Sequence, residues 1–146
     1  MNKRNILIGL VVVFVIMQFF PIDKTNPPVD QAKDFLTMEN APVEVAQLFK
    51  TACYDCHSDE TKYPWYTSVA PVSWFIKGHI DEGHEHLRFS TWGDYDAKQK
   101  AHKMEEIIEV VDGKEMPMLT YWMIHWDAKI SVEQRTQMTD WVRSIK

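Results

Sequence analysis

The chain has 146 residues, 45% hydrophobic and 12% aromatic, which is enough for one packed domain with a tail and excludes a chain disordered by composition. Net charge is −5, from 16 basic residues (Lys3 and Arg4 among them) against 21 acidic ones. Such a balance argues against a nucleic-acid partner and suits a basic or transient one.

The N-terminus opens with Lys3 and Arg4, and Ile6 to Ile22 then runs without a charged residue, interrupted by Gly9, Gln18 and Pro21. A membrane span needs about 20 apolar residues, with about 17 as the lower edge. No small-residue cleavage site follows Phe20, so residues 1–22 read as an uncleaved signal-anchor helix rather than a cleaved peptide. The positive-inside rule then keeps Lys3 and Arg4 in the cytoplasm and exports the rest. The expectation is a single-pass protein of a bacterial inner membrane, its folded domain facing the periplasm or exterior. Residues 23–41, with Pro27-Pro28 and little periodicity, read as a tether. Within it Phe35, Leu36 and Met38 are candidates to dock on the domain.

Residues 42–146 read as all-α. Val45, Leu48, Phe49 and Ala52 give the i, i+3, i+4, i+7 spacing of a first helix, opened by Pro42. It runs into Cys53-Tyr54-Asp55-Cys56-His57, the C-x-x-C-H pattern of covalent haem attachment. Two thiols at this spacing can each add to a vinyl group of one porphyrin, and the next residue can offer an imidazole to the iron. C-x-x-C also serves thiol-disulfide enzymes and zinc sites. Tyr63, Trp65, Tyr66 and Trp74 follow as candidates to line a haem pocket, with ordinary core packing as the alternative.

Val72, Phe75, Ile76 and His79 mark a second helix, and Met104, Ile107, Ile108 and Val111 a third, closed by Gly113. Met116 stands just beyond, where Pro117 disfavours helix and lets a thioether project from a loop. It is the candidate distal ligand, with Met118 and the histidines as competitors. Met138, Trp141, Val142 and Ile145 give a fourth helix, begun by a Ser131–Gln134 capping box. No alternating run of β-branched residues argues for a strand. The long connections suit a chain wrapped around a bound group.

Over most of residues 42–145 the chain resembles the bacterial haem-binding domain family, small single-haem domains similar to cytochrome c. The resemblance rests on T-A-C-Y-D-C-H-S at Thr51–Ser58, Y-P-W-Y at Tyr63–Tyr66 and P-V-x-W at Pro71–Trp74. H-I-x-E-G at His79–Gly83, H-x-x-E-E-I-I at His102–Ile108 and G-x-E-M-P at Gly113–Pro117 complete it. It implies one covalent haem c on Cys53 and Cys56, His57 as proximal ligand, Met116 as distal ligand and a membrane-tethered domain outside the cytoplasm.

Three functions are weighed on these residues. The first is a monohaem c-type electron carrier without catalysis, serving a redox partner that the sequence leaves unnamed and that an anchor would keep near the membrane. The second is a haem sensor or peroxidase-like protein with a displaceable distal ligand. The third drops haem and makes Cys53 and Cys56 a thiol pair or zinc ligands; it lacks the β-α-β frame of a thioredoxin and the spacing of a zinc finger.

Overall fold

The structure is a computed structural model that describes residues 2–146. Eight α-helices and four short 3₁₀ turns account for its regular structure, with no strand among the described residues. Helix α1 spans Lys3–Met17, α2 Phe35–Met38 and α3 Val43–Ala52. Helix α4 is the single turn Tyr54–His57, and α5 runs Val72–His86. Helices α6 (Ala97–Asp112), α7 (Leu119–Trp122) and α8 (Val132–Ile145) complete the chain. The 3₁₀ turns cover Gln31–Lys33, Trp65–Ser68, Phe89–Asp94 and Trp126–Ala128.

The expected membrane helix is corrected. Helix α1 has 15 residues, against the roughly 20 that a span needs. Among the described residues no helix is long and apolar enough to cross a membrane. The uncharged run is broken at Gln18, whose side-chain amide donates to the Phe14 and Ala70 carbonyls while its oxygen accepts from the Ala70 N–H. The chain leaves the helix there, and Pro21 cannot continue it. The single-pass inner-membrane placement, with a domain facing the periplasm, falls with that helix.

The segment read as a tether lies along the domain. Lys24 bonds Ser68, Asn26 donates to the Thr61 carbonyl, and Lys33 pairs with Asp94. Phe35 is fully buried, with its ring centroid 4.7 Å from Trp92, 5.1 Å from Phe89, 5.3 Å from Trp141 and 5.6 Å from Phe49. The core therefore includes α2, ahead of residue 42. Asp34 caps α2 through the amides of Leu36 and Thr37 and accepts the Tyr54 hydroxyl, which ties α2 to α4.

Around this aromatic cluster α3 packs on α8, and α6 packs on α8. The stripes Met104, Ile107, Val111 and Met138, Trp141, Val142 are buried, as their 3.6-residue period requires. The Ser131–Gln134 capping box opens α8, and an Asp96–Gln99 box opens α6. Helix α5 differs from the periodic reading. Its buried face is Ser73, Ile80 and Gly83, packed on α4, while Val72 and Phe75 are exposed. Gly83 lets α5 approach the backbone of the C-x-x-C-H turn, and the apolar stripe faces away from that contact.

Candidate functional site

Helix α3 hands the chain to α4 at Cys53, which has left helical geometry at φ −128°, ψ −37°. Both cysteines are free and half-buried. Burial, with the neighbouring Cys56 charge adding to it, pushes the Cys53 thiol up to about 12. Burial and then the Asp55 carboxylate push Cys56 up to about 11. Thiols held protonated in this way are poor thiol-disulfide exchangers, since exchange needs a thiolate. Among the described residues no group of three or more His, Cys, Asp or Glu side chains converges in metal-binding geometry.

His57 is held by α5. Its Nδ1 lies 3.0 Å from the Gly83 carbonyl and 3.0 Å from the Leu87 carbonyl. A carbonyl only accepts, so Nδ1 carries the hydrogen and donates to both, and the Nε2 lone pair is left bare in the neutral ring. Burial lowers the imidazole pKa, with the two backbone hydrogen bonds opposing it. A neutral imidazole with a free Nε2 and a braced Nδ1–H is the form in which histidine ligates a metal. The close approach depends on Gly83. A Cβ there would stand 2.4 Å from the Cys56 carbonyl oxygen and 3.5 Å from His57 Cε1.

The turn is fixed on its other sides. His84 Nε2 donates to the Ser58 carbonyl, Ser58 Oγ donates to the Tyr54 carbonyl, and Tyr121 donates to Asp55 at 2.7 Å. Burial and the bond to Asp34 raise the Tyr54 pKa far above its ordinary value, so its hydroxyl stays a donor. Arg88 pairs with the buried Asp59 directly after the turn.

A cavity of ≈ 470 Å³ opens beside this turn. Cys53, His57 and Met116 all line it, between an apolar floor that includes Phe49, Ile107 and Val111 and a rim that includes Glu109 and Glu115. The Met116 loop is anchored from α8. Arg135 Nη1 donates to the Met116 carbonyl at 2.6 Å and to the Val111 carbonyl at 2.8 Å, and the Met116 N–H donates to the Val110 carbonyl. Cys56 lines a second cavity of ≈ 320 Å³, together with Tyr66 and Met118. Tyr66 lies 2.5 Å through its hydroxyl from His125 Nε2.

The other aromatic candidates lie elsewhere. Tyr63 and Trp65 line neither cavity, and Trp65 is 79% exposed. Trp74 lines neither and donates through Nε1 to the Phe20 carbonyl, joining α5 to the segment after α1. Sequence reasoning missed Arg135, Leu87 and Asp34, and carried Gly83 only as the last residue of the H-I-x-E-G stretch, with no role given to it. Arg135 and Gly83 sit inside helical patterns where charge and small size carry no distinctive signal. Leu87 acts through its backbone, and Asp34 fell in the supposed tether.

These residues suit a haem. The site offers an imidazole nitrogen and a thioether sulfur on one cavity, two thiols on the turn that leads into it, and apolar walls for a porphyrin face. They define an all-helical haem-binding domain. The sequence profile of the haem-binding domain family matches residues 12–144, and the chain belongs to that family. It binds haem. Comparison with curated proteins and with solved structures finds no match.

Proposed function

We propose that this protein is a one-electron carrier with a single haem c. Cys53 and Cys56 would hold the group through thioethers, and His57 and Met116 would ligate its iron. The observation that carries the reading is the disposition of His57: Nδ1–H is committed to two carbonyls, and the ring lines the cavity that Cys53 and Met116 also line. Bound haem supplies the one-electron couple of its iron.

The chain's own residues do the rest. The Gly83 and Leu87 carbonyls orient the imidazole and make it more basic by accepting Nδ1–H. Leu87 is the C-cap of α5, so the negative end of that helix adds to the same effect. A methionine sulfur works the other way and raises the potential. Arg135 restrains the Met116 loop. Phe49, Ile107 and Val111 exclude water from the cavity floor. The partner is a redox protein that meets an acidic rim bearing Glu109 and Glu115.

Carbon monoxide tests this reading. The reduced protein should bind it slowly or not at all, because the Met116 thioether would compete for the iron. Rapid, tight binding would replace the carrier by a sensor or peroxidase-like protein.

A further inference from the structure

Residues 18–31 run along the outside of residues 60–74, in broadly the opposite direction. Gln18 bonds both backbone groups of Ala70, and the Trp74 Nε1–H donates to the Phe20 carbonyl. Lys24 donates to Ser68 Oγ at 2.6 Å, Asn26 to the Thr61 carbonyl at 2.8 Å and Gln31 to Glu60 at 3.2 Å. The strip beneath them carries Thr61, Lys62, Pro64, Tyr66 and Thr67, which form one wall of the ≈ 320 Å³ cavity that Cys56 lines.

Thr61 joins this outer segment to the C-x-x-C-H turn. It is buried, its carbonyl accepts from Asn26, and its hydroxyl donates to the Asp55 carbonyl at 2.8 Å. The Lys62 N–H donates to the Asp55 carboxylate. Two hydrogen bonds therefore lead from Asn26 at the surface to the residue that precedes Cys56.

The outer segment is lightly held. None of residues 18–33 is buried, and residues 21–29 make no backbone-to-backbone hydrogen bond. The core begins beyond it, at the buried Asp34 and Phe35. Solvent-exposed polar ties with little apolar burial put a segment at the low end of local opening free energies. Residues 18–31 can thus lift while α2 stays seated.

We propose that residues 18–31 are a strap over the cavity that Cys56 lines. Seated, the strap holds the wall of residues 60–70 in place; lifted, it lets that wall swing out and uncovers the Cys56 thiol. Its use in admitting haem to that thiol rests on the haem c reading above, whereas the coupling of strap to thiol does not.

The test variant is Gln18→Ala with Asn26→Ala in the full chain; neither residue lines a cavity. In the haem-loaded protein, hydrogen exchange of the amides of residues 60–70 should rise about tenfold while α6 and α8 keep their rates. In the haem-free chain at one fixed pH, iodoacetamide should modify Cys56 about threefold faster, with Cys53, on the other cavity, unchanged. Unaltered exchange at residues 60–70, or a rise shared by α6 and α8, would overturn the proposal. So would an unchanged rate at Cys56, or an equal gain at both thiols. Covalent haem is scored separately on the denatured chain. Its absence would remove the carrier reading and leave both strap readouts as they are.

Discussion

Gly83→Ala is the sharpest perturbation of the His57 brace. In a helix interior alanine is favoured over glycine by about 1 kcal/mol, so an unhindered exchange would stabilise. Here the new Cβ would meet the Cys56 carbonyl oxygen at 2.4 Å, where ordinary contact begins near 3.4 Å. Helix α5 must therefore retreat by roughly 1 Å, and the Gly83 carbonyl, 3.0 Å from Nδ1, moves beyond hydrogen-bonding range. Overpacking of this kind costs about 1–3 kcal/mol, which outweighs the propensity gain. For a chain of this length that lowers Tm by roughly 2–10 °C. Gly78 is the internal control: it lies on the same helix, is exposed, and has nothing within 4 Å of its would-be Cβ. Gly78→Ala should stabilise by up to about 1 kcal/mol. Thermal unfolding of the two variants side by side, with the reduction potential of the loaded protein, is the assay. Gly83→Ala should unfold earlier and show a raised potential, because a weaker Nδ1 bond makes His57 a weaker donor. If it stabilised as Gly78→Ala does, the contact between α5 and the C-x-x-C-H turn would be refuted.

Met116→Ala should lower the reduction potential and abolish the sulfur-to-iron charge-transfer band while the circular dichroism stays helical; an unchanged spectrum would reassign the distal ligand. Arg135→Ala removes the donor to the Met116 and Val111 carbonyls, and should raise the high-spin fraction and the rate of carbon monoxide binding without loss of covalent haem. Tyr54→Phe leaves the buried Asp34 with only its two backbone donors and should cost about 1–3 kcal/mol in urea unfolding. Phe35→Ala should cost about 3–5 kcal/mol, since the ring touches four other aromatics; a loss under about 1 kcal/mol would return residues 34–38 to the tether.

What could be read from the sequence was what periodicity and fixed spacing encode. The stripes of α3, α6 and α8 and the Ser131 capping box were legible, because a 3.6-residue apolar period has few other uses. Of the residues to which the cysteine spacing and a methionine beyond the third helix pointed, Cys53, His57 and Met116 line one cavity and Cys56 lines the other. The face of α5 was not legible. Contact with the turn is made at Gly83, whose value is its small size, while the apolar stripe lines an open cavity. The membrane helix was misread because Gln18 was counted as a tolerable interruption of the apolar run, whereas its amide side chain pairs with the Ala70 backbone in the folded chain and the helix stops there. Arg135 carried no signal in the sequence, its acceptors being carbonyls brought near by tertiary packing.

Covalent attachment is the central claim, and it can be read directly. Acidified organic solvent should leave the haem on the polypeptide, and the alkaline pyridine spectrum should be that of a haem with both vinyl groups saturated. Cys53→Ser or Cys56→Ser alone should shift that spectrum to one saturated vinyl. Haem that passes wholly into the solvent from the unaltered chain, with the spectrum of two intact vinyls, would contradict the account.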